Sequence, residues 1–249
     1  MSTATAAAPA PAPSPAFTLG PAASDVTIDP NDVVSFAAYV DQVRTDTVHS
    51  LNFLKETDTL SATVTYNIDH VVPGTQKVVA IRFTPPWAKH PGQPIVAIKD
   101  LSEYKDTVLF DPRFEADTLV HAHTPHLAAW SLAQLDFPIR YVAAQRHLIS
   151  RTIPNHIDRT RTILDTLQER LAKNPTLAPP PAILESNGGA NYWGKGVIKT
   201  SILVLLIEEA ARYQSIAADI GGAKDYTPGN LENQWKRTGL LEKSKQFSG

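Results

Sequence analysis

The chain has 249 residues, with 23 basic and 25 acidic side chains and a hydrophobic fraction of 43%, enough for a domain with a substantial core. It has no cysteine, which excludes a disulfide scaffold, a thiolate zinc site and a cysteine nucleophile. Its longest apolar run, Ile202–Ile207, is far short of the roughly 20 residues a membrane helix needs; with no secretory signal recognisable, a cytoplasmic protein is expected.

Residues 1–24 are an Ala/Pro-rich tail that cannot form a core and is expected to be disordered. Asp29-Pro30-Asn31-Asp32 then offers an Asn or Asp cap to a helix carrying Val33, Val34, Phe36, Ala37, Val40 and Val43 at helical spacing. Strands are expected next. Ser61–Ile68 alternates Ala62, Val64, Tyr66 and Ile68 with polar residues, and Lys77–Phe83, Pro94–Lys99 and Thr107–Phe110 follow, giving a sheet of four to six strands. From about residue 115 the period becomes helical. Leu119–Leu135 and Val142–Ile153 are expected helices, ended by Pro138 and Pro154. Ile157–Lys173 is amphipathic, with Ile163, Leu164, Leu167 and Leu171 on one face. Pro175–Gly196 reads as a loop rich in Pro, Gly and Asn, and Val197–Ile220 as a helix running through the core. The expected class is α+β, an N-terminal mixed β-sheet followed by a mainly helical C-terminal half with a central buried helix. Residues 25–249 would form a single domain, sheet-rich over 25–114 and helix-rich over 115–249.

The apolar helix contains Glu208, Glu209 and Arg212. A buried charge costs several kcal/mol unless it is paired. Glu209 and Arg212, three residues apart, share a face and can support each other, whereas Glu208 points about 100° away and is expected to be solvated. His121, His123 and His126 form a His-x-His-x-x-His cluster that could ligate a metal. Pro125 interrupts the geometry and no carboxylate motif lies on a matching face, so these are read as surface or helix-start histidines and no metal is assigned. Charge is segregated, net −7 over residues 1–139 and +5 over 140–249, and the basic half suits a polyanion.

Glu209-Ala210-Ala211-Arg212-Tyr213 resembles the signature helix of the ribosome-inactivating proteins, the rRNA N-glycosylases to which the ricin A chain belongs. Leu231-Glu232-Asn233-Gln234-Trp235 resembles that family's second segment, and the likeness covers about residues 30–240. The resemblance implies a toxin that removes one adenine from the sarcin–ricin loop of large-subunit rRNA and inhibits protein synthesis. Glu209 would stabilise the oxocarbenium-like ribose or orient the attacking water, and Arg212 would assist departure of the base. Tyr104 and Tyr141 would stack on the adenine, with Tyr192 the rival of Tyr141, and Asn233 and Trp235 would complete the substrate site. It implies the ribosome and adenine as partners, a monomer with no membrane and no lectin chain, and no metal or organic cofactor. Arg140, Arg146, Arg151, Arg159, Arg161, Arg170 and Lys173 would face rRNA phosphates. The alternative reading is a non-catalytic RNA- or ribosome-binding protein of the same fold.

Overall fold

Seven strands drawn from both halves of the chain make one mixed sheet in the computed structural model, which describes residues 33–247. The expected cap at residues 29–32 and the Ala/Pro tail lie outside the described residues. A long helix, α1 (Val33–Glu56), precedes β1 (Tyr66–Val71), β2 (Lys77–Phe83) and β3 (Pro94–Asp100). Three short 3-10 turns (Leu101–Tyr104, Val108–Phe110, Pro112–Phe114) lead to β4 (Thr118–Ala122) and α2 (Pro125–Leu132). Then come β5 (Phe137–Pro138), α3 (Val142–Gln145), β6 (Thr152–Ile153), β7 (Asn155–His156) and α4 (Ile163–Lys173). The chain continues through β8 (Ala182–Glu185), β9 (Ala190–Gly194), α5 (Val197–Ala218), α6 (Asn230–Thr238) and α7 (Leu241–Ser244).

The strand order is β3-β2-β1-β4-β9-β8-β7, antiparallel except for the parallel pair β7–β8, while β5 and β6 pair separately. Period-two alternation gives each strand two unlike faces. Ile68, Ile81, Val120 and Tyr192 enter a core with Leu51 and Leu54 of α1 and Val204 and Ile207 of α5. On the opposite face Ile183 and Trp193 pack with Leu164, Leu167 and Leu171 of α4 and with Val108 and Phe114 of the 3-10 turns. The sheet is thus sandwiched between two helical layers.

This topology corrects the expected order of a sheet followed by a helical half. The centre of the sheet, β4 and β9, lies in the half expected to be helical. Thr118, Val120 and Ala122 alternate with less buried neighbours, the two-residue period of a strand, but the apolar residues that follow hide it. β8 and β9 occupy the expected loop Pro175–Gly196, joined by a tight turn in which Asn187 takes φ +57°. Shorter deviations have local causes. The first strand begins only at Tyr66, after Val64 takes φ +50°; Thr107–Phe110 becomes a turn capped by the Thr107 side chain; and the helix expected over Val142–Ile153 lasts one turn. Lys77–Phe83 matches its expected bounds. The amphipathic helix starts at Ile163 because Thr162 and Asp165 form a reciprocal cap, each side chain accepting the other's backbone N–H.

Candidate active site

His121 is on β4 and His123 is the residue just past its end, where backbone bonds to Thr65 and Ser61 continue the extended run, so the two-residue spacing sends both side chains to the same face of the sheet, the one that α4 partly covers. Their rings meet edge to face with centroids 5.2 Å apart. Asn191 of β9 stands directly across from His121 and brings its Oδ1 within 3.3 Å of the ring Nδ1. Glu185, at the end of β8, places Oε1 3.3 Å from the same nitrogen. Asn191 Nδ2 also donates to Glu185 Oε1, and Arg159 Nη2 donates to Oε2 at 2.7 Å. The hydrogen bond from His121, reinforced by the nearby cations, pulls the Glu185 carboxyl down to about 2 despite its partial burial. A committed carboxylate at Nδ1 holds the His121 ring so that Nε2 faces away from Glu185. His123 is shifted below the usual histidine range, first by burial and then by the neighbouring His121, and is therefore largely neutral at pH 7.

Gly189 lies beside this pair for a steric reason. A Cβ there would stand 2.2 Å from His123 Cδ2, 2.9 Å from its Nε2 and 2.5 Å from the Ala122 carbonyl oxygen, so only glycine lets the strand pass. Next to the cluster is a cavity of about 230 Å³. Glu185, Asn191 and Thr107 give it a polar side, and Leu119, Ile163 and Trp193 an apolar one. Glu208 fixes the chain just beyond the histidines. Far from being solvated, it is buried, and it accepts from the backbone N–H groups of His126 (2.7 Å) and Leu127 (2.9 Å) at the start of α2. The expected roles of Glu208 and Glu209 are reversed, because the neighbour that needs a carboxylate is an uncapped helix end on Glu208's side.

The residues expected to form an adenine site do not share a cleft. Glu209 is half-buried and accepts from Tyr213 Oη at 3.1 Å, while Arg212 is exposed. Tyr141, whose ring packs edge-on against Tyr213 at 5.1 Å, is near Glu209. Tyr104 is buried elsewhere and donates to Asp69 Oδ1 at 2.8 Å, next to the two-pronged Arg82–Asp69 pair. Tyr192 is fully buried on the α5 side of the sheet. Trp235 is a core residue whose Nε1 donates to the carbonyls of Gln145 and Leu148, and Asn233 is exposed on α6. Neither Glu209 nor Arg212 lines the cavity beside the histidines or a larger one of about 460 Å³ near Lys195 and Lys243. The basic residues are also largely spent within the chain. Arg151, Arg159, Arg161, Arg170 and Lys173 pair with Asp225, Glu185, Glu169, Asp136 and Glu169.

Residues 107–215 match the family model for the class II aldolase and adducin N-terminal domain. This span contains both histidines, Glu185 and Asn191. Among solved structures, an L-fuculose 1-phosphate aldolase superposes with a TM-score of 0.58 at 13% identity, covering 80% of this chain and 96% of that one. The L-fuculose-1-phosphate aldolase of Thermus thermophilus gives 0.52 at 17% identity, with 75% and 100% covered. YgbL from Klebsiella pneumoniae, whose activity is given only as aldolase, epimerase or decarboxylase, gives 0.54 at 20%, with 78% and 98% covered. Against curated proteins the sequence finds no match.

These likenesses share the fold and overturn the resemblance to ribosome-inactivating proteins, which had rested on two short segments of α5 and α6. With it go the rRNA N-glycosylase activity, the toxin reading and the alternative of a ribosome-binding protein. The ribosome, rRNA and adenine are withdrawn as partners, and the monomer expectation lapses. The roles implied for Glu209, Arg212, Tyr104, Tyr141, Asn233 and Trp235 belonged to that reaction and have none to serve. The histidines were set aside because no carboxylate lies near them in sequence. Their carboxylate comes from β8, and the cue was the two-residue spacing of His121 and His123, which on a strand puts both on one face. Among the described residues, no three His, Asp or Glu side chains are gathered so as to hold a metal ion, and none of the helices is long and apolar enough to cross a membrane.

Proposed function

We propose that the chain is a lyase- or epimerase-type enzyme that acts on the carbon next to a carbonyl group in a small hydroxylated substrate. Its chemical centre would be the His121–His123 pair. Aldol cleavage and epimerisation both require a proton to be moved and an enolate or enol to be stabilised. The observation that carries the reading is the pair itself: two adjacent imidazoles, one held by a carboxylate and the other kept neutral, whose neighbours Glu185 and Asn191 line a small part-polar cavity. Its location inside the span matched by the aldolase model, on a fold shared with L-fuculose 1-phosphate aldolases, supports a phosphorylated sugar or related hydroxy-carbonyl compound as substrate. A cytoplasmic site of action, expected from the sequence, is part of the same proposal.

The test is to incubate the full chain in D₂O with a panel of hydroxy-aldehydes, hydroxy-ketones and their phosphates. Proton NMR then follows exchange of the hydrogen next to the carbonyl, and a hydrazine traps any aldehyde released. The expected result is exchange or cleavage of at least one compound, falling about 10²- to 10⁴-fold in His121→Ala and His123→Ala. A panel untouched by the wild-type protein would overturn the reading.

A further inference from the structure

Enzymes stabilise an enolate with a divalent cation, a lysine Schiff base or hydrogen-bond donors. The cluster around His121 decides among the three. Its cation is Arg159, which cannot form a Schiff base. A tightly held divalent ion usually takes at least three protein donors. His121 Nδ1 is already directed at Glu185 and Asn191. Glu185 has Oε1 engaged by Asn191 and His121 and Oε2 by Arg159, so its charge is balanced before any ion arrives. The two imidazoles can offer an ion at most one nitrogen each, and among the described residues no group of three His, Asp or Glu side chains is placed to hold one.

We infer that the His121–His123 pair works as an imidazole acid–base pair with no divalent cation bound between the rings, and that Glu185 is the residue that positions it. The inference rests on the lyase or epimerase reading above. In the cleavage direction, neutral His123 takes the proton of the substrate's β-hydroxyl. The bond between the α and β carbons breaks, and its electron pair forms the enol double bond. The carbonyl oxygen receives a proton from the imidazolium form of His121, whose other nitrogen stays on Glu185. The products are an aldehyde and an enol; one imidazole has gained a proton and the other has lost one. Protonation of the enol carbon by His123, with the enol hydroxyl proton returning to His121, gives the second carbonyl product and restores both imidazoles.

The experiment measures metal content and reaction separately. The full chain, purified without chelator, is assayed by elemental analysis for zinc, manganese, iron and cobalt, then titrated with Co²⁺ while its visible absorption is recorded. Exchange in D₂O is run in parallel with and without EDTA. The expected result is far less than one equivalent of metal, no ligand-field band from added Co²⁺, and exchange unchanged by EDTA. About one equivalent of metal, or a Co²⁺ band lost in His121→Ala and His123→Ala, would overturn the inference and leave the lyase reading standing. Absence of metal together with absence of exchange would overturn the lyase reading, and with it the acid–base roles. The positioning role of Glu185 has its own readout. Glu185→Gln should move the pH profile of exchange, whereas a profile of unchanged shape, merely lower, would mark a structural role only.

Discussion

Glycine 189 and glutamate 185 show how one side chain, or the lack of one, sets the geometry of the histidine pair. A methyl group at position 189 would meet both the His123 ring and the backbone at Ala122, and backbone cannot give way cheaply. Gly189→Ala should therefore cost about 1–3 kcal/mol in denaturant unfolding and also displace His123, so activity should fall further than stability alone explains. Normal turnover in a stably folded Gly189→Ala protein would contradict the close approach. Glu185 makes a prediction about acid. Its carboxyl is held at about 2, below its unfolded value, so the stabilisation is complete above the unfolded value and is lost as pH falls from about 4.5 toward 2. The shift corresponds to at most about 3 kcal/mol, and to less once solvent screening of the partly exposed carboxylate is counted. In Glu185→Gln the unfolding free energy measured between pH 5 and pH 2 should fall less steeply than in the wild type. None of this was legible from the segment around Glu185 read as a loop, since the hydrogen bonds that pull its carboxyl down come from β4, β9 and the loop before α4.

The elements fall into two groups by how well their local pattern matches their surroundings. Helix α4 was legible from its amphipathic period, α5 from an apolar run of helical length, and β2 and β3 from seven-residue segments with an apolar centre bounded by turn residues. β8 and β9 were not, because strands of four or five residues buried on both faces are short apolar runs without a distinctive period, and the alternation of β4 is hidden by the apolar residues that follow it. Helix α2 depends on a partner far away in sequence. Its first N–H groups are satisfied by Glu208 of α5, a cap reaching across the fold, where the usual cap would be local. Glu208→Ala would leave two backbone donors buried and unpaired, at a cost of about 2–4 kcal/mol. Glu208→Gln, which keeps one acceptor oxygen, should lose less than half of that in thermal unfolding. Equal losses in the two variants would mean that the carboxylate serves some other purpose there.

At the scale of the whole molecule, the sheet explains why the charge split along the sequence was misleading. Some basic residues of the second half meet acidic residues of the first that folding brings in, as Arg170 meets Asp136 and Lys243 meets Glu115, while others pair within their own half, as Arg159 does with Glu185. Five of the seven cations expected to face rRNA phosphates are paired within the chain, and RNA retention on a filter should stay near background even at low salt; steep, salt-sensitive binding would restore an electrostatic surface. The order β1-β4-β9-β8 has a consequence for how the chain comes to be active. The histidines emerge around position 121 during synthesis, but the residues that orient them arrive about seventy positions later. Any nascent or proteolysed piece ending before β8 holds the imidazoles without their anchors. On the proposed reading, half-made copies therefore carry no assembled pair, because the histidines and their anchors come together only when the later central strands are laid in place.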